Sequence, residues 1–198
     1  MKGICFKEPL FHLTVQGIKK KTRRIVHVPK GAVGIQETEQ EWVINPRYKV
    51  GEIVYLKEPY YVHKMSNPFV TQTWSETIYK YGDDPDVVTY MEELLGIERW
   101  QNKLFMPEKY ARHFIKITAV RAERLQDISE EDCLLEGIQV TFYDPDCPES
   151  GNVYYAPLVD DAFWTPQEAY AALIDKINGA ATWESNPFVW VIDYELLK

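Results

Sequence analysis

The residues best placed for chemistry lie in VQGIKKKTRR, residues 15–24, where five cations fill six consecutive positions around Thr22. A threonine hydroxyl is a weak nucleophile until a neighbouring base takes its proton, and a lysine desolvated among other cations can be that base. If Gly17 ends a helix and Lys21 opens a strand, alternation sends Thr22 and Arg24 to one face and Lys21 and Arg23 to the other. Lys19, just ahead of the strand, would lean over the Thr22 face. The plainer reading makes Thr22 an ordinary strand residue and Lys19, Lys20, Lys21, Arg23 and Arg24 a solvated basic edge. A second oddity is Glu136. It falls at the end of SEEDCLLEG, where a helix macrodipole disfavours a carboxylate by ~0.3–1 kcal/mol. A nearby ammonium would remove that cost, and Lys19 is a candidate. Otherwise Glu136 is an exposed acid that tolerates it.

The wider charge distribution sharpens the question. Residues 1–30 hold eight Lys or Arg against the single acid Glu8, a net +7, whereas the remaining 168 residues hold 14 bases and 29 acids, a net −15. That asymmetry points to a local anionic partner rather than a surface coated for nucleic acid. Three cysteines without a C-x-x-C pair suit reduced thiols in a cytoplasm. The four scattered histidines offer no zinc spacing, and no P-loop or G-x-G-x-x-G is present, so neither a metal nor another cofactor is expected. No run approaches the ~20 apolar residues of a membrane span, and MKGICFKEPL lacks a secretory apolar region. At 198 residues, a single domain over 1–198 is expected.

The elements that must position these groups follow from punctuation and period. ICF reads as a short strand and KEPLFHLTVQG as a short helix, with Pro9 in its first turn and Gly17 just past its end. KTRRIVHV and GEIVYLKEPYYV read as strands. Residues 29–50 form a Gly- and Pro-rich excursion resembling a hairpin. VTQTW and TIYKY suit short strands, and DPDVVTYMEELLG suits a helix ending at Gly96. ARHFIKITAVRAERL alternates most clearly, with Phe114, Ile115, Ile117 and Val120 available for a core. DISEEDCLLEGI is a short helix with Ser129 as its cap and Gly137 as its close. Residues 139–163 show no period and read as a long loop. TPQEAYAALIDKINGA is an amphipathic helix capped by Thr165. NPFVWVIDYELL is a buried strand, with Trp190 in the core. Such an order, strands with short helices and long insertions, gives an α+β protein around a curved or closed mixed sheet.

GIKKKTRR fits the G-x-K-x-x-T-x-R signature of the ASCH family, within the PUA-like superfamily, with Gly17, Lys19, Thr22 and Arg24 in register. GEIVYLKEPYY, MPEKYARHFIKITAVRAERLQDISEEDCLLEGI and NPFVWVIDYE resemble successive blocks of the longer ASCH-like proteins of phages and prophages. The resemblance spans most of the chain apart from insertions at roughly 29–47, 62–100 and 139–163. It implies a small mixed β-barrel with short helices at its rim and a cleft facing the signature.

Families of this superfamily bind RNA or modified bases, so the resemblance implies recognition of nucleic acid, a nucleotide or a modified nucleoside. Small bacterial relatives remove the acetyl group from acetylcytidine with a Lys, a Thr and a Glu. These carry over to Lys19 as base, Thr22 as nucleophile and Glu136 as the partner of the lysine. Lys20, Lys21, Arg23 and Arg24 would then bind an anion or hold the cleft. Of Tyr60, Tyr61, Trp74 and Trp100, which lie in or near the insertions, Tyr60 is the candidate stacking platform for a base. Three functions compete: recognition of a base or nucleotide, deacylation of acylated cytidine, and phage assembly with a vestigial cleft. Each requires or denies one geometry, in which the early basic turn and the end of the SEEDCLLEG helix share a solvent-open hollow.

Overall fold

Glycine and proline set the element boundaries. The structure, a computed structural model, describes residues 1–27, 44–66, 73–81, 85–142 and 151–197; most of the 29–50 excursion falls outside these. Pro9 lies in the first turn of α1 (Glu8–Val15), and Gly17 follows it at φ +75°, a conformation open to a residue without Cβ. The chain divides into two compact units, each discontinuous in sequence: residues 1–15, 53–115 and 196–198, and residues 16–52 and 116–195.

In the first unit, β1 (Lys2–Cys5) runs parallel to β3 (Ile53–Lys57). Antiparallel β4 (Tyr60–Ser66) and β5 (Thr73–Tyr79) form a hairpin of their own, followed by α2 (Pro85–Leu95). Ile4, Phe11, Val54, Leu56, Met106 and Ile115 are buried at its core. Inside it, the fully buried Glu58 carboxylate accepts both arms of Arg112, at 2.8 and 2.9 Å. Such a bidentate pair offsets the cost of burying either charge.

The second unit holds the sequence features singled out above. β2 (Lys21–Ile25) pairs antiparallel with β10 (Phe188–Leu197), placing Thr22 opposite Ile192. β6 (Phe114–Arg124) carries the clear alternation of its sequence, with Ile115 and Ile117 buried, and leads to α3 (Glu130–Leu135). Next come β7 (Gln139–Phe142), β8 (Asn152–Tyr155) and β9 (Ala162–Phe163), then α4 (Pro166–Asn178). Leu125, Ile128, Leu173, Val189, Val191 and Ile192 are buried in this unit. Trp190 is half-buried rather than core.

Two expectations are corrected. The described strands form three sheets, and none closes into a barrel. The five-stranded sheet has the order β1–β3–β6–β10–β2, so β1 and β2 are its two edges. Closure needs the edge strands bonded to each other. Here β1, of four residues, and β2, of five, stand at opposite ends of that order, and no pairing joins them among the described strands. The strands that might have filled the gap pair among themselves, as β4–β5 and β7–β8–β9. The second correction is that residues 139–163 are not a plain loop, because β7, β8 and β9 make a small antiparallel sheet there.

Candidate functional site

Two short segments of the second unit build the site. The turn from Ile18 to Lys20 leads into β2 with alternating burial: Ile18 exposed, Lys19 buried, Lys20 exposed. α3 is capped by Ser129, whose hydroxyl accepts from the Asp132 amide at 3.1 Å. It closes with Glu136 as C-cap and Gly137 at φ +106°. The Lys20 amide donates to the Leu135 carbonyl at 2.9 Å, tying the turn to the end of the helix.

That tie brings Lys19 and Glu136 together across 117 residues of sequence. The Lys19 ammonium donates to Glu136 Oε2 at 2.5 Å, to the Glu136 carbonyl at 2.8 Å and to the Lys21 carbonyl at 2.7 Å. An ammonium has three protons, and these three oxygens take them all. Burial pushes the Lys19 pKa down while Glu136 pulls it back up; the net direction is down, with the Arg24 and Arg23 charges adding to the fall. The macrodipole cost at Glu136 is thus offset by cations on both oxygens, since Arg23 donates to Oε1 at 3.2 Å.

Arg23 extends the cluster. Its guanidinium reaches Glu123 at 2.6 Å and Asp132 at 2.7 Å as well as Glu136. Asp132 also takes Lys21 at 2.6 Å and Arg121 at 3.0 Å, and Arg121 continues to Asp193 at 3.2 Å. Burial raises the Asp132 carboxyl, but the Lys21 and Arg23 hydrogen bonds outweigh it and hold the group below the usual carboxylate range. Lys19, Lys21, Arg23 and Arg121 therefore face Glu123, Asp132, Glu136 and Asp193. Cations and acids match in number, so this part of the basic run presents no free positive field.

The predicted residues fall into three groups. Lys19, Glu136, Arg23 and Lys21 come together, although Lys19 shares the face of Lys21 and Arg23 rather than that of Thr22. Thr22 and Arg24 lie on the other face of β2; Thr22 is buried, Arg24 half-buried, and Lys20 exposed. Tyr60 belongs to the other unit, buried with its ring 5.1 Å from that of Tyr110. The expected hollow is also altered. The turn and the helix end meet, but Lys19, Thr22, Arg23 and Glu136 are only 2, 4, 5 and 4% exposed.

An opening does lie on the outer side of the same two segments. A groove of about 570 Å³ is lined by Ile18, by Leu134 and Leu135 of α3, by Ile138, and by residues of β7 and Tyr155 of β8. Sequence reasoning missed this groove, and it missed Glu123, Arg121 and Asp193 as partners of the basic run. The alternation VRAER in β6 already set Arg121 and Glu123 on one face, but nothing local revealed which strand that face would meet.

Among the described residues no group of His, Cys, Asp and Glu is arranged to hold a metal ion. No helix there is long and apolar enough to cross a membrane. Cys133 is buried, and burial pushes its thiol up to about 12, which leaves it unreactive near neutrality. Comparison of the chain with family models, with curated proteins and with solved structures found no match.

Proposed function

We propose that the chain is an ASCH-type recognition protein whose second unit binds a nucleobase, nucleoside or nucleotide. The supporting observation is the 2.5 Å contact between Lys19 and Glu136. The resemblance nominated these two residues as partners, and they lie on segments remote in sequence. Neither composition nor local pattern required them to touch. The test is titration of the protein, by intrinsic fluorescence and calorimetry, with cytidine, acetylcytidine, cytidine monophosphate and short RNA and DNA. Saturable binding of at least one of these supports the reading, and the absence of binding by any of them at low salt removes it.

Deacylation of an acylated cytidine is the second reading, favoured by the downward shift of the Lys19 pKa, since a base must be neutral to accept a proton. In that scheme the Thr22 hydroxyl gives its proton to Lys19 and attacks the acetyl carbonyl. The carbon–nitrogen bond breaks, the proton leaves with the amine, and water then cleaves the threonyl ester. Against it stand the three oxygens that occupy the Lys19 ammonium and the place of Thr22 on the opposite face of β2, away from that ammonium. Cytidine release from acetylcytidine, lost in Thr22→Ala, is the outcome that would establish it.

A further inference from the structure

The charged cluster is a poor seat for a ligand. Its central side chains are almost wholly buried, the Lys19 protons are spent, and each acid already carries a cation. A ligand inserted there would have to displace carboxylates from their partners, which leaves buried charge uncompensated. The groove on the outer side of the same segments has the opposite character. It is a shallow depression of about 570 Å³ open to solvent, with Ile18, Val140 and Tyr155 47, 48 and 40% exposed.

Among the described residues no charged side chain lines it. A phosphate or carboxylate placed there would lose water without gaining a counter-charge, so the lining selects a neutral ligand. The one aromatic ring that the described residues bring to the lining is Tyr155. Across the β7–β8 ladder Tyr155 stands directly opposite Gln139, so ring and amide project from the same face of the small sheet. A phenol ring offers a stacking surface, and an amide offers one donor and one acceptor group side by side. Together they match a flat heterocycle whose edge carries both.

We propose that this groove is the binding site for a neutral aromatic heterocycle, such as the base of a nucleoside, stacked on Tyr155 and met at its edge by Gln139. The proposal rests on the recognition reading above and relocates its ligand. Lys19 and Glu136 then brace the two walls from behind, and the Lys20–Leu135 backbone bond fixes the seam between them.

Calorimetry with cytidine and cytidine monophosphate, at 50 and 500 mM salt, tests this on the full chain. Cytidine should bind with affinities within about two-fold at the two salt concentrations, because no phosphate contact releases counterions. The monophosphate should bind no tighter than cytidine. Tyr155→Ala should weaken cytidine binding by at least about five-fold, the low end of what a lost stacking ring costs, while Tyr155→Phe keeps it. Tyr155 is partly exposed, and unchanged melting curves would show that both variants fold. Tighter, salt-sensitive binding of the monophosphate would overturn the groove while leaving nucleotide recognition intact, as would full affinity in Tyr155→Ala. If neither compound binds the wild-type protein, the groove proposal falls, while binding of acetylcytidine or a short nucleic acid would still uphold the recognition reading.

Discussion

Glu136 holds two cations on one carboxylate, Lys19 on Oε2 and Arg23 on Oε1, with almost no water in reach. Removing its charge leaves both unpaired in a buried place. Glu136→Gln should therefore lower unfolding stability by about 3–5 kcal/mol, measured from denaturant midpoints. The double variant Lys19→Met with Glu136→Gln should cost less than the two single changes added together, because the charges fail as a pair. Asp132 gives a pH-dependent counterpart. Its folded pKa lies below the 3.8 of a free side chain. Its contribution is thus complete above that value and is lost as pH falls through the folded pKa. Acid titration of wild type against Asp132→Asn should show the variant weaker at pH 7 by about 2 kcal/mol, with a flatter loss of stability below pH 4. Thr22 has a different position. Its alternation in β2 was correctly read from sequence, but whether Lys19 would lean to its face depended on three carbonyl and carboxylate oxygens, two of them supplied by Glu136.

At the scale of elements, α3 orients the whole cluster with only six residues, too few to be stable alone. Its ends therefore matter more than its length. Ser129→Ala should cost about 1 kcal/mol by loss of the cap, read from thermal or denaturant unfolding. Both ends of this helix were plain in the sequence, as was the Thr165 cap of α4; the structure adds Glu168, so that side chains and amides of the two bond reciprocally at 3.2 and 3.1 Å. Local chemistry writes such signals. β7, β8 and β9 left none: QVTF, NVYY and AF are two to four residues long, shorter than the runs over which alternation becomes visible. The groove is lined by residues of β7 and β8, so the place of Tyr155 in it has no local sequence signal. The barrel failed for a related reason. Strand pattern predicts pairing in general, but only the lengths and neighbours of the two edge strands decide whether a sheet closes.

For the whole molecule, the net charge of −8 and the pairing of the basic run act in the same direction. At least three of the five cations between residues 19 and 24 are spent on internal acids, and polymer binding draws its affinity from unspent ones. A 20-nucleotide single-stranded RNA should accordingly show no saturable binding at 150 mM salt by fluorescence anisotropy. Charge reversal of a partner acid, Asp193→Lys, should raise its affinity at low salt. In sequence the run reads as a local anion site, because charge is summed over neighbouring residues while the compensating acids lie 100 or more residues downstream.

That separation also acts on the ribosome. Arg23 waits for Glu136 across 113 residues, which at ~5–20 residues per second is roughly 6–23 s of translation. Throughout that interval the nascent chain displays a bare polycationic stretch beside ribosomal RNA. Docking of the basic turn is therefore a late event in synthesis, and a chain halted before α3 is made should cling to anionic surfaces that the finished protein ignores.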